Sequence, residues 1–150
     1  ISAAATANNK ADMYCIEICE KAVKICENAQ NNNMYFKVLF QELIAKSYLK
    51  LNDKQSAQMY CEQGLQVAYK NKLMYLQLRL SDLKANIARE QLSNQPDKNK
   101  YEYAQNTIKM YMGTLELAKR LNLQQSSRKI EKELTSFRAH CQLNRILEDK

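Results

Sequence analysis

The sequence predicts an all-α chain built from antiparallel helix pairs, and three observations carry that expectation. Two glycines, one proline and no tryptophan among 150 residues, set against abundant Leu, Ala, Lys, Gln and Glu, favour helix nearly throughout. No run has the alternating pattern of a strand. The chain also repeats itself. Cys61-Glu62-Gln63-Gly64-Leu65-Gln66 falls on Cys19-Glu20-Lys21-Ala22-Val23-Lys24 at a spacing of 42, Met74-Tyr75 falls on Met34-Tyr35 at 40, and residues 65–70 fall on 115–120 at 50.

Residues 1–10 are small and polar and read as a frayed or disordered segment ahead of one helical domain over 11–150. A chain of this size buries roughly 70% of its unfolded surface. The first helix is expected from about Ala11-Asp12 to Ala29, with Tyr14, Ile18, Ala22, Ile25 and Ala29 on one face. Asn31-Asn32-Asn33 is a turn, because asparagine tolerates left-handed backbone and competes for helical hydrogen bonds. A second helix covers about Met34 to Leu51, Asp53 caps a third that runs to about Tyr69, and Asn71-Lys72 turns into a fourth over Leu73 to Leu92. Residues 93–100 hold the one proline and no apolar side chain, so they read as an exposed loop. A fifth helix is expected over Tyr101 to Leu121, and after Asn122 a sixth begins near Leu123 and continues toward the end.

Between Val38 and Asn71 the small and aromatic residues fall as Ala45, Tyr48, Ala57, Cys61 and Gly64. Small residues at these points let two antiparallel helices approach closely, and the tyrosine fills the space beside them. This segment resembles the tetratricopeptide repeat, and the resemblance extends over about Asp12 to His140. Its spacings are similar to those of the longer-helix repeats in kinesin light chains, cell-polarity adaptors and peptide-sensing bacterial regulators. The resemblance implies a right-handed superhelix, an α-solenoid of about three pairs with a concave binding surface. A plain helical bundle is the rival arrangement.

In that family the first helix of each pair lines the groove. Aligning Ala45, Ala85 and Thr135 places Leu39, Glu42, Lys46, Leu49 and Lys50 of the second helix there. It adds Arg79, Asp82, Leu83, Asn86 and Arg89 of the fourth, and Lys129, Lys132, Ser136 and His140 of the sixth. Lysine and arginine outnumber acids in this set, with leucines between them, which suits a protein or peptide carrying acidic and apolar residues. The carboxylate clamp of chaperone-binding repeats is not expected. Glu42 stands where that clamp needs Lys, Lys46 where it needs Asn, and Leu83 where it needs a second Asn.

The chain carries a net charge of +7, from 23 Lys and Arg against 16 Asp and Glu, spread along its length without a dense basic tail. That spread, with most tyrosines at helix-packing positions, disfavours nucleic acid as the partner. No apolar run is long enough for a membrane span, and self-association stays open. Cys15, Cys19 and Cys26 share one helix stripe, and Cys19 and Cys61 occupy equivalent repeat positions. Together with Cys141 they read as small buried hydrophobes, reduced and metal-free, which points to the cytoplasm or nucleus. His140 is a lone histidine, Glu131 and Glu133 point away from each other, and Gly64 and Gly113 both sit at helix crossings. None of these makes a catalytic constellation, so the expectation is a non-catalytic interaction scaffold or adaptor without a cofactor. The alternative is a regulatory sensor of a signalling peptide or small effector. Residues 1–9 lack the basic and apolar regions of a secretory leader, and the sequence reads as a piece of a longer protein.

Overall fold

A computed structural model describes residues 3–28 and 33–148, with side chains from Ala7 onward. The described residues form six α-helices and no strand: α1 (Ala3–Asn28), α2 (Met34–Lys50), α3 (Lys54–Lys70), α4 (Met74–Gln91), α5 (Asp97–Arg120) and α6 (Gln124–Leu143), with a 3₁₀ turn at Leu92–Asn94. No helix among them is long and apolar enough to cross a membrane. The chain divides into two compact units, Ile1–Leu80 and Ser81–Lys150. The cut falls inside α4, which contributes its first half to one unit and its second half to the other.

Helix α1 begins at Ala3, well before the expected start near Ala11-Asp12. Ala29 and the expected turn residues Asn31 and Asn32 lie outside the described residues. In the first unit α1 packs on α2, and α2 on α3. The face of α1 that is covered differs from the one the periodicity suggested: Ile16, Cys19 and Cys26 are buried, whereas Tyr14, Ile18 and Ile25 are 65%, 46% and 70% exposed. Ile16 and Cys19 join Ile44 in a cluster against which Val23, Phe40, Tyr48, Leu51 and Tyr60 pack. Tyr48 and Tyr60 stack with ring centroids 5.5 Å apart, and the Tyr60 hydroxyl donates to Glu20 Oε1 at 2.8 Å.

Small residues set the crossings. Ala45, Ala57, Cys61 and Ala68 are fully buried, and the Cys61 thiol donates to the Leu80 carbonyl at 3.2 Å. A Cβ on Gly64 would stand 2.9 Å from Leu80 Cδ1 and 3.6 Å from Gln41 Cβ, so α2 and α4 both press on this position.

One turn closes four of the helices. Asn52, Lys72, Asn122 and Arg145 each have φ between 55° and 63°. In each case the next residue's N–H reaches back to a carbonyl of the last turn: Asp53 to Tyr48, Leu73 to Ala68, Leu123 to Ala118 and Ile146 to Cys141, at 2.8–3.0 Å. The left-handed residue itself donates to Leu49, Tyr69, Lys119 or Gln142. These are Schellman motifs, and they satisfy helix-end carbonyls that the next helix would otherwise bury unpaired. Ala68 and Ala118, fifty residues apart in the self-similarity, are both fully buried beneath such turns. The motif at Arg145 ends α6 at Leu143, so that helix does not run on to the end. Asp53 caps α3 as expected, accepting from the Ser56 N–H at 3.1 Å and the Ser56 hydroxyl at 2.7 Å.

In the second unit α5 packs on α6 around Tyr111 and Phe137, both fully buried with centroids 6.0 Å apart. Helix α5 starts at Asp97, so half of the expected loop 93–100 is helical. Pro96 ends the extended backbone at φ −57°, ψ 145° and needs no N–H partner there, Asp97 suits the positive end of the helix, and Lys100 pairs with Asp97 at 3.0 Å. Gly113 departs from the expectation more sharply. It is exposed, and a Cβ there would meet nothing within 4 Å.

The two glycines therefore respond oppositely to substitution. Gly113→Ala removes the entropic cost of glycine in an exposed helix interior, and denaturant unfolding should show a gain of about 0.5–1 kcal/mol. Gly64→Leu overfills a closed crossing and should cost about 1–3 kcal/mol. Equal responses at the two positions would contradict these surroundings.

Candidate functional site

The expected groove residues fall into two side-chain clusters, one in each unit. In the first, Glu42 on α2 is 3% exposed, and its Oε1 accepts from Arg79 Nη2 and Lys46 Nζ, both at 2.7 Å. Glu42 Oε2 is buried with no hydrogen-bond partner. The Arg79 guanidinium also lies 5.8 Å from the centroid of the Tyr75 ring. One buried carboxylate thus ties α2 to α4 and gathers two of the expected cations. Around it Leu39 and Leu49 are half-buried, while Lys50, Tyr35 and Tyr75 are exposed.

In the second cluster Asp82 on α4 is buried, and its Oδ2 accepts from Lys129 Nζ of α6 at 3.1 Å. Lys129 also pairs with Glu133 Oε1 at 3.6 Å. Burial, and then the Asp82 carboxyl beside it, push the Glu133 carboxyl up to about 7. Burial works to lower the Lys129 ammonium, but the hydrogen bond and charge of Asp82 and Glu133 outweigh it and hold it above the ordinary lysine range. Asn86 Oδ1 accepts from the Tyr111 hydroxyl at 2.6 Å. Arg89 donates to Ser136 Oγ at 3.0 Å and to the Glu133 carbonyl at 3.4 Å, with its guanidinium 5.8 Å from the Phe137 ring centroid.

Three expected groove residues of this unit stand apart from that network. Leu83 is buried rather than open to a partner. Lys132 is exposed, and His140, also exposed, lies 3.4 Å from Asn144 through its Nδ1. Ser136 is exposed and accepts from Arg89. Thr135, aligned with the fully buried Ala45 and Ala85, is exposed, since no later helix among the described residues covers α6.

Glu133 and Tyr111 are central to the second cluster and were missed in the sequence. Glu133 points away from Glu131, its neighbour along the helix, and the acid that shares Lys129 with it, Asp82, lies 51 residues away in the chain. No family model, curated protein or solved structure matches this chain.

The tyrosines depart from the expectation that most of them pack: Tyr14, Tyr35, Tyr69, Tyr75 and Tyr101 are exposed. The cysteines follow theirs more closely. Cys19, Cys26, Cys61 and Cys141 are buried, and Cys15 is half-buried with its Sγ 4.0 Å from that of Cys19. Burial, with the neighbouring Cys15 thiol, pushes the Cys19 thiol up to about 11. An open cleft lies in the same unit as the Asp82 cluster. It is a cleft of about 1110 Å³ lined by Arg89, Tyr101, His140 and Arg145 together with Glu90, Asp97 and Glu102.

Glu42→Ala strands Arg79 and Lys46 and opens the α2–α4 tie. Both cations are partly exposed and regain water, so chemical denaturation should report a loss of about 1–3 kcal/mol. Tyr111→Phe removes one buried hydroxyl from Asn86 and should cost about 1 kcal/mol. The thiols give a third check: Cys19 should react with an alkylating reagent at pH 8 far more slowly than free cysteine, as read by mass spectrometry.

Proposed function

We propose that this chain is a non-catalytic protein–protein interaction module, a tetratricopeptide-like superhelix of about three antiparallel pairs. In this reading it serves as a scaffold or adaptor in the cytoplasm or nucleus and holds a peptide segment or partner protein on α2 and the start of α4. The observation that carries the reading is the exposed stripe of α2 and the start of α4. Tyr35, Leu43 and Tyr75 are 43%, 44% and 49% exposed there, beside Arg79 and Lys46 already held in place by Glu42. Ordered, half-exposed aromatics next to fixed cations offer contact area at low entropic cost, the composition that binding surfaces favour.

The pairing of the cations refines the partner's chemistry. Lys46, Arg79 and Lys129 already serve internal acids, which leaves exposed Lys50 and Lys132 to attract acidic residues. A partner segment with acidic and apolar residues is still preferred, but apolar contact supplies most of its affinity, and added salt should weaken binding only modestly.

The test uses the full chain as bait in a cell extract, with bound proteins identified by mass spectrometry. A Tyr35→Ser/Tyr75→Ser variant should lose the specifically bound partner while its circular dichroism stays unchanged, and Lys50→Glu should weaken capture severalfold. Undiminished capture by both variants would discard α2 and α4 as the binding face. The cleft near His140 favours the second reading, a sensor of a small effector or signalling peptide, and that reading gains if capture survives both variants but is lost in His140→Ala.

A further inference from the structure

We propose that Asp82 and Glu133 form a proton-sharing carboxyl pair that clasps α6 to α4 and loosens as pH rises. The inference is independent of which partner the chain binds.

Geometry supplies the first part. Asp82 projects from α4 and Glu133 from α6, and a single ammonium, Lys129, stands 3.1 Å from Asp82 Oδ2 and 3.6 Å from Glu133 Oε1. The remaining oxygens, Asp82 Oδ1 and Glu133 Oε2, are both buried and accept no hydrogen bond. Two ionised carboxylates and one ammonium would leave a net negative charge in a poorly solvated place, with two orphaned acceptors. One proton removes both faults. It neutralises the cluster, and it lets one orphan donate to the other, so that the Asp82 side chain favours the protonated form of Glu133.

The surrounding groups keep their charge while this one changes. From α5, Tyr111 is held protonated, its hydroxyl pushed up to about 12 chiefly by burial. That hydroxyl occupies Asn86 Oδ1, and the Asn86 side chain on α4 favours the ionised form of Glu133. Lys129 favours that form too, and its ammonium is itself held above its ordinary range. Arg89, also on α4, spends its donors on Ser136 and on the Glu133 main chain. Burial and Asp82 outweigh these opposing groups at Glu133.

The sign follows from linkage. The folded carboxyl is raised from 4.5 to about 7, so its contribution is fully present below about pH 4.5 and is lost as pH rises through about 7. Between pH 5 and pH 8 the opening of α6 should grow by up to about seventyfold. The proton acts between two helices, so the readout is local to α6 and its seat.

Carbon-13 NMR of the side-chain carboxyls in the full chain tests the pair directly. One glutamate resonance should titrate near pH 7 and disappear in Glu133→Gln. In Asp82→Asn the midpoint should fall by at least one pH unit, because the like charge is gone and an amide can donate in its place. Amide exchange along α6, corrected for intrinsic pH dependence, should speed up from pH 5 to pH 8 in the natural chain and stay flat in Glu133→Gln. A Glu133 midpoint near 4.5 would overturn the proposal. So would a midpoint near 7 that Asp82→Asn does not move, since burial alone would then account for it. If Glu133→Gln fails to fold, the Asp82→Asn midpoint decides.

Discussion

Closing each helix within two or three residues is the constraint on which the rest of this structure depends. A helix that ends against a neighbour leaves carbonyls facing inward, and these must be satisfied before the next helix can pack. The chain solves this four times with the same backbone and without glycine, using Asn52, Lys72, Asn122 and Arg145 in left-handed geometry. Asparagine accepts that geometry readily, whereas lysine and arginine do so at a cost of about 1 kcal/mol or more each. The buried Ala68 and Ala118 beneath two of these turns show what the cost secures: the returning chain lies directly on the helix it leaves.

Charge is the second organising element, and it works inward before it works outward. Glu42 is nearly inaccessible yet anchors two cations from two helices. Asp82 and Glu133 hold Lys129 in a similar way in the other unit. A chain of net charge +7 therefore presents fewer free cations along α2, α4 and α6 than its sequence suggests. The side chains left open on α2 and the start of α4 are largely aromatic and aliphatic.

Much of this architecture is legible in the sequence, and the misses have physical causes. The bounds of α2, α3 and α4 fall within a residue or two of expectation because asparagine and aspartate mark their ends. Helix α5 starts before Tyr101 because a proline signals a loop within an element but not ahead of a helix's first turn, where its missing N–H costs nothing. Helix α1 carries apolar residues on two faces, so periodicity alone could not say whether Ile16 and Cys19 or Tyr14 and Ile18 would be covered. Gly64 and Gly113 have the same side chain and helical context, and only the neighbours differ. The clusters were harder to foresee. Which lysines stood near acids along one helix was visible, but Arg79 with Glu42 and Lys129 with Asp82 join residues 37 and 47 apart in sequence.

The tyrosine hydrogen bonds also have an optical consequence. With no tryptophan among its 150 residues, the chain's ultraviolet emission comes from tyrosine alone. In the first unit the Tyr60 phenol hydrogen-bonds the Glu20 carboxylate, an arrangement that quenches tyrosine emission. In the second unit Tyr111 is buried beside Phe137 with its hydroxyl on an amide oxygen. The two rings thus sit in chemically different surroundings, one in each compact unit. Unfolding should therefore change the emission of the two rings in different ways, and the natural chain carries both reporters without a label.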